Sequence, residues 1–232
     1  SYTYSVDADW AQRPVNWVSW GDAARFANWM HNGQPTGAQD ATTTEDGAYE
    51  LNGAVTDTAL LAVTRQPDAI WWLPNEDEWY KAAYYDPDKP GGAGYWSYPT
   101  GSDDLPGYEL GTPTDPGNSA TWAHFVNAAD VRYTIGAPYY RTEVGAHENS
   151  ASPYGTFDQG GNVAEWNETN LGGVTRGLRA GEFYSTHEAD MHASNRPWLY
   201  YPSYEIDGYG FRLATVSDLQ TGNLTFSLDA GA

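Results

Sequence analysis

Cysteine is missing from all 232 residues of this chain, and that absence removes several chemistries at once. There is no disulfide framework, no thiolate metal site and no cysteine nucleophile, and a chain with nothing to oxidise carries no record of its redox setting. Basic residues are scarce: 11 Lys and Arg stand against 31 Asp and Glu, a formal charge of −20. Nucleic acid and anionic membranes need Lys and Arg to neutralise phosphate, so neither is expected as a partner, and cations are favoured instead. Acidity also simply keeps a protein in solution, which accounts for most of the carboxylates. No uncharged apolar run is long enough to span a bilayer, so no membrane insertion is expected. A G-x-S-x-G elbow, a zinc signature and a phosphate-binding glycine loop are also lacking. With 40% apolar content the chain is long enough to bury one sizeable core, and one domain is expected.

The densest stretch that is present runs from Ser152 to Asn167, SPYGTFDQGGNVAEWN. Asp158 and Glu165 can each offer carboxylate oxygen, while Gly160 and Gly161 let the main chain bend so that carbonyls point inward; calcium is the natural occupant of such a loop. A glycine-rich turn with two solvated acids is the plainer reading of the same pattern.

Two helices can be placed from caps and spacing. Ser19 with Asp22 forms a capping-box pair ahead of an apolar stripe at Trp20, Ala23, Ala24, Ala27 and Met30, ending near Asn32 and Gly33. Asn75 with Glu78 opens a second, whose inward face is Trp79, Ala82 and Ala83 and which Asp86-Pro87 stops. Asn52-Gly53, flanked by apolar residues, predicts a hairpin turn. From Pro87 to Pro153 the chain is rich in Gly, Pro, Asp and Ser and reads as irregular. Leu224, Phe226 and Leu228 alternate with polar residues, predicting a strand within 221–228.

Five ordered motifs carry a resemblance. PVNWVSW (14–20) followed by DAARF (22–26), WLPNEDEW (72–79), GNVAEW (161–166), RAG (179–181) and GFRL (210–213) are similar to the motifs of the formylglycine-generating enzyme, or sulfatase-modifying factor, family. The wording of TEDGAYELNG and SPYGTFDQGGNVAEWNE looks closest to a secreted bacterial subgroup. The resemblance implies an α+β, C-type lectin-like fold with two short helices, small antiparallel sheets and high loop content. It divides the chain into residues 1–13 as an extension or truncated start, 14–214 as the domain, and 215–232 as a tail. The family's usual first strand has no counterpart in Ser1 to Arg13, so the chain is expected to be processed or truncated there. The tail strand could take that vacant sheet position, in its own subunit or in a neighbour as a homo-oligomer contact.

For the 158–165 loop the resemblance implies calcium ligation by the side chains of Asp158 and Glu165 and the carbonyls of Gly161 and Val163. A second calcium site is implied more loosely at Asn118 and Asp130. Family enzymes hold copper with two cysteines five residues apart just beyond the RGGS motif; this chain has Glu182-Phe183-Tyr184-Ser185-Thr186-His187-Glu188-Ala189-Asp190 there. Serine and aspartate cannot replace thiolates toward Cu(I), so formylglycine synthesis is not expected and no catalytic residue is assigned. His187 and His192, with Glu188 and Asp190, could bind a divalent metal, but H-x-x-x-x-H on a loop is a weak signal.

The region 182–209 offers recognition chemistry instead. Glu182, Phe183, Tyr184, His187, His192, Asn195, Trp198 and Tyr201 are the candidate ligand contacts, because aromatic planes beside hydrogen-bonding groups suit carbohydrate or protein partners; the same rings could equally build the core of a loop-rich fold. The expected function is a noncatalytic, calcium-stabilised, extracellular or cell-envelope binding module. The alternatives are a nonhaem metal-dependent oxygenase and a self-assembling extracellular subunit joined through its C-terminal strand.

Overall fold

Ser19 opens the first helix as its side chain predicts: its Oγ accepts from the Asp22 N–H at 3.1 Å while Asp22 Oδ2 accepts from the Ser19 N–H at 2.9 Å. In the computed structural model, which describes residues 6–111, 115–127, 130–196 and 200–216 and the backbone of 226–229, this helix is α1, Trp20–His31. Its face of Trp20, Ala23, Ala24 and Ala27 is fully buried. Asn28 fastens the following loop to it, donating to the carbonyls of Thr44 and Tyr49 at 2.8 Å each and accepting from the Tyr49 N–H at 2.7 Å.

Asn52 and Gly53 have φ of 49° and 79°, the left-handed pair that the turn requires. No hairpin grows from it. The N–H groups of Leu51 and Asn52 bond the Glu45 carbonyl, Gly53 N–H bonds the Glu45 carboxylate at 2.6 Å, and the chain then enters a second helix, α2 (Asp57–Ala62), capped by Thr56. The helix was hidden from sequence reading by its six-residue length. After β1 (Trp71–Trp72), Asn75 and Glu78 close the second capping box at 2.8 Å in both directions and start α3 (Glu76–Tyr84). Three helices, rather than two, are therefore present among the described residues.

The remaining strands are short: β2 (Tyr85–Asp86), β3 (Gly94–Tyr95), β4 (Ala123–Asn127), β5 (Asp130–Tyr133), β6 (Ala164–Asn170), β7 (Arg176–Arg179), β8 (Tyr209–Phe211), β9 (Leu213–Val216) and β10 (Phe226–Asp229). They form four small sheets, ordered β1-β9-β10, β2-β3, β4-β5 and β7-β6-β8. All pairings are antiparallel except β6 with β8, which is parallel. The backbone of β10 pairs with β9 of its own chain, and 221–225 of the expected tail strand lie outside the described residues.

The main core lies between α1, β6 and the β1-β9 pair, where Trp20, Tyr49, Leu73, Trp166 and Tyr209 meet. Arg176 on β7 stitches its edge. It donates to the carbonyls of Leu60 and Val63 at the end of α2 at 2.7 and 2.6 Å and lies 3.9 Å over the Trp20 ring. A cation against the orphan carbonyls of a helix C-terminus meets an otherwise unsatisfied need.

Candidate functional site

Two buried ion pairs hold β6 in place, and they decide what the glycine-rich loop can do. Glu165 on β6 accepts from Arg212 Nε and Nη2 at 2.5 and 2.6 Å, and Trp79 Nε1 of α3 donates to it at 2.6 Å. Glu76 at the start of α3 pairs with Arg179 on β7, with Asn167 Nδ2 donating to its other oxygen at 2.8 Å. Each carboxylate is buried and fully engaged, which is the arrangement a low-dielectric interior demands of a charge.

Asp158, Val163 and Glu165, of the residues expected to hold calcium, meet at one small cavity, where Glu165 is also bound to Arg212. Glu165 has both oxygens spent on a bidentate guanidinium, whose positive charge faces the same small cavity as Asp158, Asn162 and Val163. That cavity is about 20 Å³, the room of about one water molecule. Asp158 accepts from the Gly145 N–H at 2.6 Å, and burial raises its carboxyl pKa despite that bond and the nearby Arg212. Asn162 donates to the Thr142 carbonyl at 3.3 Å, and its Oδ1 is buried without a partner. Gly161 has a φ of 75° and packs so closely on the Thr121 carbonyl that a Cβ there would lie 2.1 Å from the oxygen. The loop's glycine thus serves backbone packing. At the second expected site, Asn118 accepts from Thr100 Oγ1 at 2.7 Å and donates toward the Asp104 and Leu105 carbonyls, whereas Asp130 pairs with Arg132 on the surface of β5. Each is already engaged elsewhere.

The 182–209 region behaves differently. Beyond β7 the chain turns at Ala180 and Gly181, both at positive φ, and is tied to the glycine loop by Gly161 N–H to the Ala180 carbonyl and Phe183 N–H to the Asn162 carbonyl. A cavity of about 260 Å³ opens beside this turn, walled by Glu182, Ser185, Asp190, Asn195, Tyr200 and Tyr209 and floored by Ala164 and Leu178. No Arg, Lys or His among the described residues lines it. Ser185 and Asp190, the residues at the positions where the sequence resemblance puts the copper thiolates, flank one point: a Cβ on Gly181 would lie 3.2 Å from Ser185 Oγ and 3.1 Å from Asp190 Cβ. Ser185 Oγ accepts from the Glu182 N–H at 3.0 Å. Arg179 reaches across to the carbonyls of Ala193 and Asn195, which sets the far wall.

Glu182 is the unusual group. Its carboxylate hydrogen-bonds Tyr184, yet Oε2 is buried with no partner. Desolvation pushes its pKa up to about 7, with Asp207 and Asp190 adding to the rise. Gly208 makes the room: a Cβ there would fall 1.7 Å from Oε2. Burial beside these groups also raises the phenol pKa of Tyr184 and of Tyr209, the latter hydrogen-bonded to Tyr200.

Of the predicted ligand contacts, Glu182 and Asn195 line the cavity and Tyr184 backs it through Glu182. Phe183 instead is buried, packed edge-on to Tyr184 and near Tyr140. His187 is exposed ahead of a 3-10 turn at Glu188–Met191. His192 bonds Ser194 Oγ at 2.8 Å and sits edge-on to Tyr98, and Tyr201 packs on Tyr204; none of these three lines the cavity. Trp198 lies outside the described residues. Among the described residues no three or more His, Asp or Glu are grouped to hold a metal ion. Tyr200 and Tyr209 belong to the recognition stretch read from sequence, but their pairing does not show there, since their convergence depends on β8 running parallel to β6.

The fold is the formylglycine-generating-enzyme type of C-type lectin-like fold, small sheets and three helices amid long loops. Among solved structures, CarF aligns with a TM-score of 0.51 at 17% identity, over 93% of this chain and 72% of that one. Treponema denticola variable protein 1 aligns at 0.49 and 17%, over 92% and 75%. No curated protein matches the sequence. The profile of the sulfatase-modifying factor enzyme 1-like domain matches residues 3–216, and the chain belongs to that family.

Proposed function

We propose that this chain is a noncatalytic binding module of its family, which holds a small polar ligand in the cavity beside Gly181. One observation carries the reading: Ser185 and Asp190 stand where the resemblance places the metal thiolates, and the space between them is kept open rather than filled. Hydroxyl and carboxylate oxygens are hard donors with no preference for Cu(I), so this cavity keeps a shape suited to a ligand while lacking the soft donors of copper-dependent oxidation. Two tyrosine rings and apolar Ala164 and Leu178 beside a few polar side chains are the usual lining of a small-ligand site. The proposal does not rest on calcium, because Glu165 already has Arg212 as its charge partner. An extracellular or cell-envelope setting belongs to the proposal through the resemblance of the TEDGAYELNG stretch, and fractionation of the source cells checks it.

The test restores the thiolates. The wild-type chain, supplied with Cu(I), oxygen and a cysteine-containing peptide, is expected to produce no aldehyde and retain no copper on gel filtration. The S185C/D190C double variant is expected to retain copper stoichiometrically, because both positions face one point. Turnover by the wild type overturns the reading; a double variant that binds no copper overturns the placement of the two residues.

A further inference from the structure

Resting on the binding role just proposed, we infer that the cavity takes an organic ammonium ion, held between the carboxylates of Glu182 and Asp190 and the rings of Tyr200 and Tyr209. Four features of the site point to a cation rather than to an uncharged or anionic ligand. Glu182 Oε2 is a buried acceptor with no donor, and leaving such a group unmet in a low-dielectric site is costly. No basic side chain among the described residues lines the cavity, in contrast to Glu165, Glu76 and Glu45, each of which has its own arginine. Tyr200 and Tyr209 both line the cavity and meet at 5.0 Å and 74°, and the negative face of an aromatic ring attracts ammonium groups. Asn195 and Ser185 add neutral hydrogen-bonding groups to the lining, suited to a hydroxyl or carbonyl further along the same ligand.

The electrostatics agree. Glu182 holds its proton to about pH 7 because burial and the neighbouring Asp190 and Asp207 oppose its charge. A bound cation reverses that opposition, so binding expels the proton and affinity rises with pH up to and through neutrality. Tyr184, Asp190, Asp207, Tyr200 and Tyr209 are the titratable groups around Glu182, and the phenols of Tyr184 and Tyr209, with raised pKa, stay neutral over this range. The cavity's volume sets the size: a small amine or quaternary ammonium of metabolite dimensions, not a polyamine chain or a protein side chain on its backbone.

The discriminating probes are choline and its uncharged carbon isostere 3,3-dimethyl-1-butanol, with ethanolamine as a primary amine, measured by calorimetry on the full chain near pH 8 in moderate salt. Choline or ethanolamine is expected to bind at least about tenfold more tightly than the butanol, since a desolvated carboxylate and ring face discriminate by charge. Glu182→Gln is expected to abolish that preference, and its melting curve shows whether it folds. Glu109→Gln, an exposed acid remote in sequence from the site, controls for attraction by overall charge and is expected to change nothing. Affinity for the preferred amine should fall as the pH is lowered from 8 to 6, with proton release seen as a buffer-dependent heat. Equal binding of the butanol, an affinity unmoved by Glu182→Gln, or no binding of either amine at millimolar concentration overturns the cation assignment. None of those results touches the noncatalytic reading, which fails only on turnover or on the copper experiment.

Discussion

The two ends of the segment joining the glycine loop to β7 and beyond treat their acids in opposite ways. On the β6 side, Glu165 and Glu76 are buried, bidentate or doubly bonded, and matched to Arg212 and Arg179. A few residues past β7, Glu182 is desolvated with an oxygen unpaired and Asp190 and Asp207 as its neighbours. The fold gives Glu165 and Glu76 their own arginines and leaves the acids beside its cavity without one among the described residues. The difference separates residues that hold the scaffold from residues that await a ligand. It also shows that a carboxylate in a motif says little until its partner is known.

The contrast can be broken most severely at glycines. Gly161→Ala sets a side chain against the Thr121 backbone at positive φ, and is expected to cost about 3 kcal/mol or more in urea unfolding. Gly208→Ala meets only side-chain ends, the Glu182 carboxylate and the Tyr184 hydroxyl, so its cost in stability should be smaller while the cavity loses its ammonium preference. Equal destabilisation by the two would erase the distinction.

Of similar size is Arg212→Met, which strands Glu165 in the interior and should destabilise by about 3–5 kcal/mol. Glu165→Gln should lower the melting temperature by the same amount in calcium and in chelator, because what it breaks is an ion pair. A larger loss in calcium would return the cation to the loop.

Smaller effects come from pH. Glu182 has a folded pKa near 7, above the ordinary carboxylate value, so its penalty is absent below about pH 4 and grows as the pH rises toward 7. Replacing it with Gln should therefore stabilise the chain at pH 8 and have little effect at pH 4. His147 has the opposite sign. It is buried between Ser119 Oγ at 2.8 Å and Thr121 Oγ1 at 3.0 Å, and burial lowers its pKa. Its folded state resists the proton, so stability drops as the pH falls below the ordinary imidazole value of about 6.5. A shallower acid limb in His147→Gln, read from melting temperatures between pH 7 and 5, checks this.

What the sequence made legible was local. Both capping boxes and the Asn52-Gly53 turn could be read because each involves residues three apart or adjacent. The strand pairing expected around that turn failed because Glu45, seven residues upstream of Asn52, captures its N–H groups. Family motifs located the loop and the cavity segment, and so Glu182 and Asn195, but not their partners. The glycine loop reads identically whether Glu165 meets an ion or an arginine 47 residues later, and Glu76 finds Arg179 across 103 residues. Phe183, His187, His192 and Tyr201 shared the composition of a binding surface, yet packing direction, which composition does not encode, turned them away from the cavity.

Glu182 is central to the binding role as an unmatched, desolvated acid at a ligand cavity. Carbon-13 labelling of glutamate side chains, with Glu182 assigned by its Gln variant, gives its titration directly by NMR. The account predicts a midpoint near 7 that falls when an ammonium ligand is added. An ordinary carboxylate midpoint in the free protein, unmoved by the ligand, would contradict it.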